Sequence, residues 1–156
     1  MGWCRGVLAH SPQLPAAISV HALVMSQAPS FVVVDYHAES RYLLVKTLRR
    51  KFPTAVVHES DDAEKAIELA RAVNLGAIIA HRTFEMEGAE LVRRIREADP
   101  KVPIIMVSGI DRSTMARAAG ASAFLHYDKW LLVGNVVEEH LRPQGAAPAS
   151  DETAVA

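Results

Sequence analysis

The chain has 156 residues, half of them hydrophobic, enough for one domain with a real core. Its 17 Lys and Arg nearly balance 18 Asp and Glu, so no strongly basic surface points to nucleic acid as a partner. The single cysteine, Cys4, excludes a disulfide framework and a cysteine-type metal site and fits a reducing cytoplasm, while no apolar run reaches the ~18 residues of a membrane span.

Residues 1–29 read as an extension. They carry Arg5 and an apolar patch from Ala16 to Met25, but His21 interrupts the patch and no small-residue cleavage site follows, which argues against a secretory signal. Two readings remain: a loosely ordered segment with a short helix around Ala16–Ser26, or an upstream read-through ahead of a natural start at Met25.

"SFVVVDYH" (Ser30–His37) predicts a short buried strand ending at Asp35. Tyr42, Leu43, Val45 and Leu48 then recur at helical spacing between Glu39 and Phe52. Arg49, Arg50 and Lys51 favour the last turn of that helix, and Pro53 stops it. "TAVVHES" (Thr54–Ser60) predicts a second strand, and Asp61 with Glu64 forms a capping-box pattern for a helix over Ala63–Asn74. "GAIIAH" is a third strand, and Gly88–Asp99 an amphipathic helix with Leu91, Val92 and Ile95 on one face. "VPIIMVSG" (Val102–Gly109) is a fourth strand, and Arg112–Gly120 a short Ala-rich helix. "SAFLHY" (Ser122–Tyr127) is a fifth strand, and Lys129–Leu141 a last helix. The tail, residues 142–156, is polar and rich in Pro and Ala, which predicts disorder.

Five strands thus alternate with five helices across residues 30–141. The strand runs are apolar throughout, as expected when both sheet faces are covered. The expected fold is α/β: a doubly wound, five-stranded parallel sheet in the flavodoxin-like order 2-1-3-4-5, with helices on both faces. Right-handed crossovers bring all strand C-termini to one edge, where ligands bind in such folds. The residues there are Asp35-Tyr36, His58-Glu59, Ala80-His81-Arg82, Ser108-Gly109 and Tyr127-Asp128.

These residues carry a resemblance. "VVVDYHAESRYLLVKTL" resembles the first strand and helix of response-regulator receiver domains, the chemotaxis-regulator-like fold, which open with a pair of acids. "MEG" (Met86–Gly88) resembles the family's Met-Asp-Gly. "VPIIMVSG" resembles the fourth strand with its switch Ser or Thr, and "GASAFLHY" the fifth, with Phe124 at the switch aromatic. Four motifs in order, at the right spacing, are specific together although none is alone. In the family, two acids and an acceptor aspartate hold Mg²⁺, the aspartate takes a phosphoryl group from a phosphohistidine, and a Ser/Thr hydroxyl and a Lys stabilise it. The resemblance puts Asp35 at the first acid, Tyr36 at the second, Ala80 at the acceptor, Arg82 at the backbone metal ligand, Ser108 at the hydroxyl and Tyr127 at the lysine. Asp128 takes the place of the proline after that lysine, and Lys129 serves only if the alignment slips by two, against which Phe124 and Gly120-Ala121 argue. The resemblance therefore implies a pseudo-receiver: fold kept, aspartyl-phosphate switch lost, no catalytic residue, no cofactor, and Mg²⁺ binding weak or absent.

Asp35 is expected to pair with Arg82 in place of a metal ion; the alternative is a solvated strand-end carboxylate. Strand alternation turns His81 away from a pocket faced by Ala80, so His81 is not expected to be an acceptor. His58 and His81 at neighbouring strand ends make a weak zinc pair. Ser108 has no base partner, "VSGID" is not a nucleophile elbow, and a loop-capping hydroxyl is expected. Tyr36 and Tyr127, with Arg82, either plug the old pocket or leave it open. Arg49-Arg50-Lys51 and Arg93-Arg94-Arg96 read as solvated helix faces. Met115, Phe124, Trp130 and Leu131 map to the surface that carries dimer and output contacts in the family, although Trp130 equally suits a cover over the sheet.

The leading expectation is a stand-alone cytoplasmic signalling protein of the two-component type, acting by protein contacts without phosphorylation. Its implied partners are a histidine kinase or another response regulator, with a homodimer compatible and neither nucleic acid nor membrane expected. The alternatives are a phosphotransfer protein with a non-standard acceptor, which Ala80 cannot supply, and a small-ligand binder at the C-terminal sheet edge. Against a nucleotide, "DYHAES" has no glycine with which to cradle phosphate.

Overall fold

The apolar runs and amphipathic segments from Ser30 to His140 fold as five strand–helix units. The structure, a computed structural model, describes residues 28–141; the expectations for the N-terminal extension before Ala28 and for the tail lie outside them. The elements are β1 (Ser30–Asp35), α1 (Ala38–Lys51), β2 (Val56–Ser60), α2 (Ala63–Ala72), β3 (Ala77–Arg82), α3 (Gly88–Ala98), β4 (Ile104–Ser108), α4 (Ser113–Ala119), β5 (Ala123–His126) and α5 (Val133–His140). All strand pairings are parallel, in the order β2-β1-β3-β4-β5.

The central strands are buried on both faces, and alternate residues feed two cores. Val32, Val34, Ile78, Ala80, Ile104 and Met106 pack against α2, α3 and α4. Phe31, Val33, Ile79, Ile105 and Val107 pack against Leu44 and Leu48 of α1 and Val133 and Val137 of α5. Edge strand β2 departs from the expected all-apolar pattern, because water reaches its outer side and Val56 and Glu59 are exposed.

Three local expectations need correction. The cap of α2 is Asp62 rather than Asp61: the Asp62 carboxylate accepts from the Lys65 amide at 3.1 Å, placing the cap one residue later in the chain. The last helix does not run unbroken from Lys129. A 3₁₀ segment over Tyr127–Leu132 brings the chain tightly off β5, with Lys129 at non-helical dihedrals, before α5 begins. Gly134 then lets α5 approach α1 closely, since a Cβ there would lie 2.9 Å from Lys51 Cβ.

The third correction concerns Arg96, which is not part of a solvated face. Its Nε donates to Gly120 O at 2.9 Å and its guanidinium also reaches Val102 O, tying α3 to the turn after α4. Gly120 itself has φ 98°, the left-handed cap that a side chain would strain. The neighbours of Arg96 do form surface pairs, Arg93 with Glu90 and Arg94 with Glu64.

Candidate functional site: a charge-altered strand edge

At the C-terminal edge of the sheet, Asp35 closes β1 and is completely buried. A lone buried carboxylate is costly, so its partners matter. His81 Nδ1 lies 2.7 Å from Asp35 Oδ2, the Ser40 hydroxyl donates to the same oxygen, and the His37 amide donates to Oδ1 at 3.0 Å. Arg82 Nε stands 3.6 Å from Oδ1, and its Nη2 donates to Ser40 Oγ at 3.2 Å. Burial opposes the charge more than any one of these contacts favours it. Together the hydrogen bonds from His81, Ser40 and the His37 amide still hold the Asp35 carboxyl below its usual range.

Asp35 and Arg82 are thus within ion-pair range, but the shorter contacts are those to His81 and Ser40, which sequence reasoning missed. Val34 pairs with Ala80, and the register then shifts so that Asp35 pairs with Arg82. His81 is the extra residue at that irregularity. Alternation holds on each strand: Val34 and Ala80 enter the α2–α4 core, while Asp35 and His81 turn to the other side. His81 does lie opposite Ala80, as alternation expects, but the premise that Ala80 faces the pocket fails: Ala80 is buried in the core, and His81 lines the cleft. Parity across the two strands was the available signal. Ser40 gave none, being an ordinary residue of the first turn of α1.

Tyr127 covers this buried pair, its ring stacked on His81 at 4.9 Å and 8°. His58 is not a neighbour of His81, since β1 lies between β2 and β3. It contacts Ser30 Oγ instead, at 3.2 Å, which removes the zinc pair. Among the described residues no group of three or more His, Cys, Asp or Glu could hold a metal ion.

Beside the buried pair, a cleft of about 280 Å³ opens between the loops after β3 and β4. Tyr36, Arg82, Thr83, Glu87, Ser108 and Arg112 are part of its lining. Tyr36 and Arg82 form wall rather than plug. The Arg82 guanidinium sits 5.2 Å over the Tyr36 ring, which also packs against the exposed Phe84 at 3.9 Å. Ser108 Oγ accepts from the Ile110 amide at 3.3 Å and shapes the loop. Ala80 has no exposed surface and Lys129 is not in the lining. On the opposite flank of β5, Met115 and Leu131 are exposed, Trp130 packs partly against the α1/α5 core, and Phe124 packs partly against the other.

The profile of the response regulator receiver domain matches residues 31–129. The chain belongs to that family. Solved receivers superpose over most of the described region. The signal receiver domain of the response regulator NarL from Mycobacterium tuberculosis is 25% identical with TM-score 0.65, covering 72% of this chain and 95% of that one. A mutant receiver domain of the histidine kinase CKI1 from Arabidopsis thaliana is 25% identical with TM-score 0.63, covering 72% and 89%. The chemotaxis protein CheY4 of Vibrio cholerae is 21% identical with TM-score 0.64, covering 74% and 100%. No curated protein matches the chain.

This receiver is a signalling module of a non-catalytic family, and among its described residues no helix is long and apolar enough to cross a membrane. Its residues do not fit the family's Mg²⁺. A hard cation needs several oxygen ligands, yet the one remaining acid, Asp35, is already engaged. The Arg82 carbonyl, expected at the family's backbone-ligand position, accepts from the Tyr36 amide at 2.9 Å, and the Arg82 side chain brings a fixed positive charge.

Proposed function

We propose that this receiver signals by protein contact, without phosphorylation, among the histidine kinases and response regulators of a cytoplasmic two-component pathway. The observation that carries the reading is the pairing of Asp35 with His81 and Ser40 beside a buried Ala80. A side-chain network occupies the first acid, and no nucleophile stands at the acceptor position. Among the described residues, His81 is the one imidazole in the cleft lining; it is buried and stacked under Tyr127, and we assign it as a structural partner of Asp35 rather than an acceptor. The exposed side chains of Met115 and Leu131, flanking Phe124 and Trp130, are the proposed contact surface, open to a partner receiver or to a second copy.

Incubating the protein with Mg²⁺ and acetyl phosphate and weighing it intact tests the reading. The expected result is an unmodified mass under conditions that fully label an ordinary receiver run in parallel. A stoichiometric phosphoryl adduct on any residue refutes it, and peptide mapping then names the acceptor.

A further inference from the structure

The cleft beside Asp35 has changed its charge preference, and we infer that it binds a small phosphate-type oxyanion reversibly and without metal. This goes beyond the contact function, which neither requires nor excludes such a ligand. The lining holds two guanidiniums, Arg82 from the end of β3 and Arg112 from the loop after β4, against one carboxylate, Glu87. Asp35 is fully buried and lies outside the lining, but its carboxylate stands 3.6 Å from Arg82 Nε and offsets part of that charge, so Arg112 is the less compensated of the two cations.

The side chain of Arg112 is only 31% exposed, yet its sole partner among the described residues is Glu87, 3.8 Å away and 72% exposed. A pair that long and that wet holds weakly, so an anion displaces Glu87 at little cost. Arg82 spends Nε on Asp35 and Nη2 on Ser40, while Nη1 has no partner among the described residues. The Ser108 hydroxyl accepts one amide bond and keeps its own proton to donate. Gly109 is open on its Cβ side, with nothing within 4 Å, so a ligand can approach the backbone there. Two guanidiniums and a hydroxyl in one lining are donors of the kind that hold the oxygens of a dianion, with Arg112 able to bind bidentately and Arg82 through Nη1. The C-terminal edge of a parallel sheet is the physical place for such a ligand.

The test is an inorganic phosphate titration of ¹⁵N-labelled protein in excess EDTA, with chloride holding ionic strength constant. Saturable shifts are expected at the Thr83, Gly109 and Ile110 amides, with acetate binding more weakly. Arg112→Gln should weaken binding about tenfold or more. That side chain makes no capping hydrogen bond, so the fold is expected to survive its loss. Arg93→Gln, on the outer face of α3, should leave binding unchanged. Shifts that do not saturate, affinity indifferent to Arg112→Gln, equal binding of acetate, or a requirement for Mg²⁺ would each overturn the inference. A covalent phosphoryl adduct would instead overturn the contact reading and leave this one standing.

Discussion

Replacing Asp35 by alanine is expected to lower the unfolding free energy by about 3–5 kcal/mol, the range for removing one partner of a buried charged network. The size follows from what remains. The His81 ring and the Ser40 hydroxyl both lose an acceptor in a buried region, and each orphaned polar group costs about 1–3 kcal/mol. The His37 amide, on an exposed residue, turns to solvent more cheaply. Urea denaturation at neutral pH measures the difference, and a loss under about 1 kcal/mol would show that the network is not stabilising. Asp35→Asn removes the charge and one of the two accepting oxygens, since its amide nitrogen donates where a carboxylate oxygen accepted from His37 or from His81 and Ser40. The folded state depresses the Asp35 pKa, so its charge contributes fully above the ordinary carboxyl value of about 4. That contribution is lost as pH falls through the lower, folded value. The stability gap between wild type and Asp35→Asn should therefore be constant near neutrality and shrink only in acid. A gap that shrinks between about pH 7 and 5 would assign the charge effect to another group.

The architecture was legible because the central strands are compact apolar runs and several helices, Gly88–Ala98 above all, carry a clear apolar stripe. Phe31 to Val34 are apolar on both sides, as a central parallel strand must be, and such a run needs no alternation to be recognised. The residues at the expected phosphorylation positions, Ala80 and Tyr127 among them, are read directly from the sequence, being identities rather than geometries. What replaced the lost chemistry was not so legible. The Asp35–His81 contact rests on the relative register of β1 and β3, with Val34 opposite Ala80, which alternation along one strand alone does not supply. Arg112 was hidden for a different reason. It opens a short helix after an irregular loop, and only folding brings that loop across from Arg82. Arg96 shows the same limit, for a cluster of three arginines looks like surface until one of them finds carbonyls to hold.

Restoring the acceptor alone, Ala80→Asp, is expected to destabilise the protein by about 2–4 kcal/mol and to yield no phosphoryl adduct. Ala80 has no accessible surface and belongs to the core with Val34, Met106 and Ala89. A carboxylate there lacks a partner cation, because Arg82 is already turned to Asp35 and Ser40. Such a group loses hydration without compensation and is held protonated, which removes both its nucleophilicity and its use as a metal ligand. The other positions compound the defect: Tyr36 supplies no anionic oxygen, Tyr127 no ammonium, and Arg82 repels the divalent ion that phosphoryl transfer needs. Thermal denaturation and intact mass after acetyl phosphate and Mg²⁺ read the two effects separately. A stable variant that also takes up phosphate would mean that one substitution disabled the switch and that the remaining pocket is still competent. An unstable, unlabelled variant would mean that the core has closed over the acceptor position, so that phosphorylation could return only with several changes together.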